Sequence, residues 1–127
     1  MMRIARLATA LAVLLPGPAL AALACVDTPA ALAAALDGAE ANGEDDDVRI
    51  VAGVYDLPAT LVHSTHEAFA LTISGGWNAG CTARGTGFTS LDGGGTHRVL
   101  HGLSDATAGL AITDILFSGG SDDAGGA

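Results

Sequence analysis

LAITDILFSGG, residues 110–120, alternates apolar and polar side chains and then meets a double glycine. A period of two puts every second side chain on one face of a strand. A glycine pair at its end allows a turn where a Cβ would clash or φ must be positive. The same phrase recurs further back. LTISGGW (71–77) alternates into Gly75-Gly76, SLDGGG (90–95) runs into three glycines, and RVLHGL (98–103) continues as another strand. VRIVAGVYDL (48–57) reads as a strand interrupted at Gly53. The glycine breaks fall near 53, 75, 93 and 119, at spacings of 22, 18 and 26 residues. A loose period of about 20 residues, built of short strands, predicts a mainly β fold of the solenoid type. In such a fold strands stack in parallel, inward aliphatics form a continuous core and glycines serve the corners. A small β-sandwich also has short strands, but it calls for hairpin dipeptides between them. Here Asn42-Gly43 follows a helix, and Asp92-Gly93 runs on into more glycine.

One helix precedes the strands. In DTPAALAAALDGAEANG (27–43), Thr28 suits the cap and Pro29 the first helical position. Leu32, Ala35, Leu36 and Ala39 lie at i, i+3, i+4 and i+7, which makes one apolar stripe. Asn42-Gly43 is the expected stop, and Gly38 weakens the interior. Asp45, Asp46 and Asp47 then form an acidic turn. A calcium loop of the EF-hand type would need acids at alternate positions, a glycine and a distal Glu, so a solvated turn is expected.

Residues 1–24, MMRIARLATALAVLLPGPALAALA, read as a secretory signal peptide. Arg3 and Arg6 give the positive start, residues 7–15 the apolar core, and Ala22-Leu23-Ala24 a small-x-small cleavage pattern before Cys25. A membrane anchor would want about 20 unbroken apolar residues, and Pro16-Gly17-Pro18 interrupts the run. The remainder carries 14 acids against three arginines, a net charge of −11, compared with −9 for the whole chain. That surface repels phosphate backbones and anionic lipid, so nucleic acid is excluded as a partner. Export places Cys25 and Cys81 in a compartment that permits oxidation. Two readings of Cys25 follow: one bridge to Cys81, which the cysteine count favours, or a lipidated N-terminus. The lipid reading has Ala22 where a lipobox has Leu, and it would leave Cys81 unpaired.

In order, the chain offers a leader, a cysteine, a capping helix, VRIVAGVYDL, LTISGGWNAGC, TSLDGGGTHRVL and LAITDILFSGG. This set resembles the N-terminal part of secreted bacterial right-handed parallel β-helix repeat proteins, which have a pectate-lyase-like fold. The resemblance implies a helix that plugs the first coil over residues 25–47, coils over 48–120 and a flexible Gly-rich end at 121–127. It also implies that Cys81 ties back to Cys25 beside the cap. Phe117 and Gly125-Gly126-Ala127 resemble the Phe-x-x-Asn and Gly-Gly-Ala repeats of polymorphic outer membrane proteins, with Gly120 where that pattern has Asn. In such repeats Gly-Gly-Ala leads into another strand. The chain is therefore expected to be a truncated β-helix: a cap and two or three coils, open to self-association through its last coil.

The β-helix fold hosts polysaccharide lyases and hydrolases, so chemistry has to be sought residue by residue. Lyases of this fold use clustered Asp and basic residues. Beyond the leader only Arg49, Arg84 and Arg98 are basic, and they are widely spaced. Asp122-Asp123 resembles the acid pair of polygalacturonases, but the accompanying Gly-His-Gly and Arg-x-Lys motifs are absent. His63, His66 and Glu67 in HSTHE are not in the order His-Glu-x-x-His that a helical zinc site needs, and read as a surface loop. His97 and His101 are four apart and would share one face of a strand. Trp77, the only tryptophan, either stacks on a sugar ring or packs beside the disulfide and cap, the latter being expected. No catalytic, metal or cofactor residues are assigned. The expected function is a non-catalytic secreted or cell-surface scaffold, stalk- or adhesin-like, with polysaccharide or surface components as partners. The alternative is the N-terminal part of a polysaccharide lyase or glycoside hydrolase whose catalytic coils lie elsewhere.

Overall fold

The computed structural model describes residues 22–104, 107 and 109–121. Residues 1–21 of the expected leader 1–24, the Asp122-Asp123 pair and the Gly125-Gly126-Ala127 motif lie outside the described residues. In chain order the elements are β1 (Ala22–Val26), α1 (Pro29–Gly38), β2 (Asp46–Val51), β3 (Gly53–Asp56), β4 (Leu61–Thr65), β5 (Leu71–Trp77), β6 (Thr89–His97), β7 (Leu100–Ser104), β8 (Leu110–Thr113) and β9 (Ile115–Gly120).

The strands form three sheets, ordered β1-β2-β5-β8, β3-β6-β9 and β4-β7. From β2 onward the chain visits the first, second and third sheet in turn, does so again, and then returns to the first and second. All six strand pairings among the described residues are parallel. That excludes the sandwich, whose neighbouring strands run antiparallel. The fold is mainly β with parallel sheets, compatible with a solenoid.

The register corrects the period. Stacked residues are 25 apart between Asp46 and Leu71, 36 between Gly53 and Thr89, and 39 between Leu61 and Leu100. They are 39 apart between Leu71 and Leu110 and 26 between Thr89 and Ile115. The long spacings share residues 78–88, an 11-residue excursion between β5 and β6. Without it the five spacings become 25, 25, 28, 28 and 26, one nearly constant coil. The equivalent corner elsewhere takes a single residue: Ala52 between β2 and β3, and Asp114 between β8 and β9. Asp114 turns there with φ 57°, so LAITDILFSGG is two strands in different sheets rather than one. The glycine breaks mark corners, which come more than once per coil, and so their spacing understates it.

Inward residues stack in columns through the coils. Ala24, Val48, Ile73 and Ile112 make one, Tyr55, Leu91 and Phe117 another, and Leu61 stacks on Leu100. α1 closes the first coil from the side of β1, β2 and β4. Thr28 Oγ1 accepts a hydrogen bond from the Ala31 amide at 3.0 Å, and Pro29 sits in the first turn, as the sequence predicts. Leu32 and Leu36 are buried against the core. Burying each is worth about 2 kcal/mol. The helix ends at Gly38 with Ala39 as its C-cap, before the expected Asn42-Gly43 stop. A glycine is costly inside a helix and cheap at its end.

Two strands went unread. β1 begins inside the expected leader, with Ala22, Leu23 and Ala24 paired to Asp46, Asp47 and Val48. β4 occupies the segment expected as a surface loop, and His63 is buried in it. The acidic turn is also shorter than expected, because Asp46 and Asp47 already belong to β2.

Candidate functional site

Residues 78–88 leave the stack as a short hairpin. Trp77 bridges Arg84 in antiparallel sense, the Asn78 amide donates to the Ala83 carbonyl and the Gly85 amide to the Gly76 carbonyl. Asn78 Oδ1 accepts from the Thr82 amide at 2.9 Å and fixes the turn. Its tip carries Cys81, with φ 54°, and Cys81 is joined to Cys25 of β1, Cα to Cα 5.8 Å. The hairpin thus crosses β2 and ties the second coil to the first strand. The sulfur of Cys25 is consumed by this bond, which removes the lipidated reading.

The corner that launches the hairpin permits no side chain. A Cβ on Gly75 would meet Thr89 Cβ and the Asp114 carbonyl oxygen, both at 2.6 Å, and Gly76 has φ 77°. Thr89, fully buried, accepts from the Gly76 amide at 2.9 Å and lies 3.3 Å from the carbonyls of Ile50 and Val51. Its one hydroxyl joins two sheets and satisfies itself in the core.

Beside the hairpin two guanidiniums stand over the Trp77 ring, Arg49 at 4.2 Å and Arg84 at 4.7 Å from its centroid. Arg49 belongs to the first coil, Trp77 to the second, and Arg84 pairs with Asp114 at the third. Arg49 also pairs with Asp47 at 2.9 Å and donates to the Cys81 carbonyl at 3.0 Å. Trp77 Nε1 donates to Ser74 Oγ at 2.8 Å. The three arginines that look scattered in sequence are therefore partly gathered, two of them on one ring. The sequence signal that could have shown this is the hairpin itself, which returns Arg84 to Trp77. Each cation–π contact is worth about 0.5–1 kcal/mol at an exposed site. The arrangement fastens three coils to one another and to the disulfide. A sugar ring stacking on Trp77 would compete with guanidiniums already in contact.

The other candidates are dispersed. His63 Nδ1 lies 3.1 Å from the Leu36 carbonyl oxygen, so that nitrogen carries the proton and donates to the last turn of α1. His63 lines a mostly apolar cleft of about 150 Å³ with Phe69, Leu71, Leu103 and Leu110. Glu67 accepts from the Gly43 amide at 3.0 Å. His97 faces two carbonyls, Leu57 through Nε2 at 2.9 Å and Arg98 through Nδ1 at 2.8 Å, while His101 lies in β7. Asp46 is buried beneath the cap, where Asn42 Nδ2 donates to it at 2.7 Å. Burial pushes its carboxyl above the usual 3.8, and the Asn42 bond opposes the shift. Tyr55 is likewise raised, first by burial and then by the charge of Asp27. Among the described residues no three His, Cys, Asp or Glu side chains converge as a metal site, and no helix is long and apolar enough to cross a membrane. Comparison with family models, curated proteins and solved structures finds no match.

Proposed function

We propose that the chain is an exported, helix-capped right-handed parallel β-helix and acts as a non-catalytic scaffold at or beyond the cell surface. The observation that carries this reading is the set of inward columns running through successive coils from the buried helix. A stack of that kind presents long outer faces at fixed spacing and is extended by adding coils. Export is supported by the leader pattern and by a disulfide that suits an oxidising compartment. The last coil leaves Phe117 and Leu110 exposed. This supports a second copy covering that face.

The partners that fit are neutral or basic surface polymers, polysaccharide among them, because the chain is strongly acidic. The test is to export the full chain, purify it, and incubate it with neutral and acidic polysaccharides. Binding without bond cleavage is expected. Turnover that survives repeated purification overturns the scaffold reading in favour of an enzyme.

A further inference from the structure

β1 begins at Ala22. Its five residues pair one for one with residues 46–50 of β2, and the Ala22 nitrogen donates to the Asp45 carbonyl oxygen at 2.8 Å. Ala24 packs on the core and Val26 is buried in it. These residues are part of the folded stack. Yet the sequence carries two small-x-small patterns in tandem, Ala19-Leu20-Ala21 and Ala22-Leu23-Ala24, and either satisfies a leader peptidase. Cutting after Ala24 would delete three of the five paired residues of β1. It would also make Cys25, half of the disulfide, the chain terminus, and set its new positive charge opposite Arg49 in the register. Cutting after Ala21 keeps all five described pairs of β1 and sets the charge opposite Asp46, next to Asp45.

We infer that processing occurs between Ala21 and Ala22, and that Ala22 is the mature N-terminus. This rests on the export reading above. Water, activated by the leader peptidase, adds to the Ala21 carbonyl and the Ala21–Ala22 amide bond breaks. Ala21 departs as the carboxylate end of the leader, and Ala22 keeps the nitrogen as an ammonium. That ammonium retains a proton to donate to the Asp45 carbonyl, in the place of the former amide. Its charge is attracted by Asp45 and Asp46, whereas at Cys25 it would be repelled by Arg49. The same acidic run that looks like a solvated turn in the sequence becomes the seat of the chain terminus.

The test is to express the full 127-residue chain in a bacterium with an intact export route, and to determine the mass and N-terminal peptide of the exported product. A product beginning at Ala22, heavier by Ala-Leu-Ala than one beginning at Cys25, is expected. Ala21→Tyr, which places a bulky side chain just before the bond, is expected to abolish that product. A wild-type product beginning at Cys25 keeps export and overturns the cleavage position. A chain that stays in the cytoplasm with residues 1–21 attached overturns the export reading and this inference with it. An Ala22 terminus that survives Ala21→Tyr overturns the assignment to a leader peptidase.

Discussion

The two ends of the strand stack carry the same kind of inward residue and leave it in opposite states. At the first coil, Leu36 is 0 % exposed, Leu32 1 % and Val48 1 %, because α1 lies across the columns. At the last described coil, Phe117 is 42 % exposed and Leu110 49 %, although they continue columns that are dry one coil earlier at Leu91 and Leu71. Strand edges differ in the same way. Glu40, just past the helix, accepts from the Ser64 amide through its carboxylate and from Thr65 Oγ1 through its carbonyl, so β4 is covered. β1 covers β2. The end of a parallel strand stack is thus a packing problem that the stack does not solve by itself. It needs a separate element with an apolar stripe and polar groups at its tail.

The disulfide should show the largest effect, because it fastens the capped end. Replacing both Cys25 and Cys81 with Ser frees a loop with a sequence separation of 56. The chain-entropy model puts the loss at about 4 kcal/mol. A urea titration of the purified, oxidised protein should show the midpoint falling steeply, with β-rich circular dichroism before the transition unchanged. An unmoved midpoint would mean that the first strand adds nothing to the cooperative unit, and the contrast between the ends would lose its main support.

Next comes the cap itself. Leu36→Ala removes a side chain with no exposed surface and leaves a cavity that the rigid coil cannot collapse, at a cost of about 3 kcal/mol. The same titration reads it. A loss of about 0.5 kcal/mol or less, the scale of an ordinary surface change, would show the helix to be loosely laid on the coil rather than part of its core.

Much of the capped end was legible because its signals are local. Thr28, Pro29 and the Leu32–Leu36 spacing specify a helix start and a buried stripe within ten residues. A count of two cysteines favours the bridge over a lipidated Cys25, and the structure joins Cys25 to Cys81. The stack was legible as repetition but not as register. An 11-residue excursion at 78–88 hides the constant coil, and corners of a single residue at Ala52 and Asp114 fuse two strands into one apparent run. β4 was missed because LVHST interleaves a histidine and a threonine where aliphatics are expected. Both turn inward to bond the backbone at the end of the helix, His63 to Leu36 and Thr65 to Glu40. The arginine–tryptophan cluster was invisible for a related reason. Arg49 reaches Trp77 across neighbouring coils, through a contact that only the three-dimensional register creates.

Asp46 sharpens the comparison through pH. It occupies the interior column above Leu71 at the capped end, where burial raises its carboxyl above the usual 3.8. A carboxyl raised on folding binds its proton more tightly in the native state. Stability is therefore full below the unfolded value, is lost as the pH rises from there through the folded value, and is regained as the pH falls back. Asp46→Asn does not titrate and can still accept from Asn42. Its stability relative to the wild type should rise as the pH climbs from the ordinary carboxyl value of 3.8 and level off once the raised folded value is passed. A difference independent of pH would show that Asp46 is solvated in the folded chain and that the cap is wetter than its aliphatic residues imply.

The smallest change in stability is expected at the open end, from Phe117→Ser. The ring stacks on Leu91 but already keeps much of its surface in water, so truncation should cost about 1 kcal/mol or less. Its effect should lie in association. Phe117, together with the exposed Leu110, offers an apolar face at the edge of two sheets, the kind of surface that recruits another copy. Sedimentation across a concentration series should show the wild-type chain gaining mass and the Phe117→Ser chain remaining closer to a monomer. Equal association of the two would move the contact away from the open coil. A large loss of stability with no change in association would mean that the last coil is sealed in solution, and the two ends would then be alike.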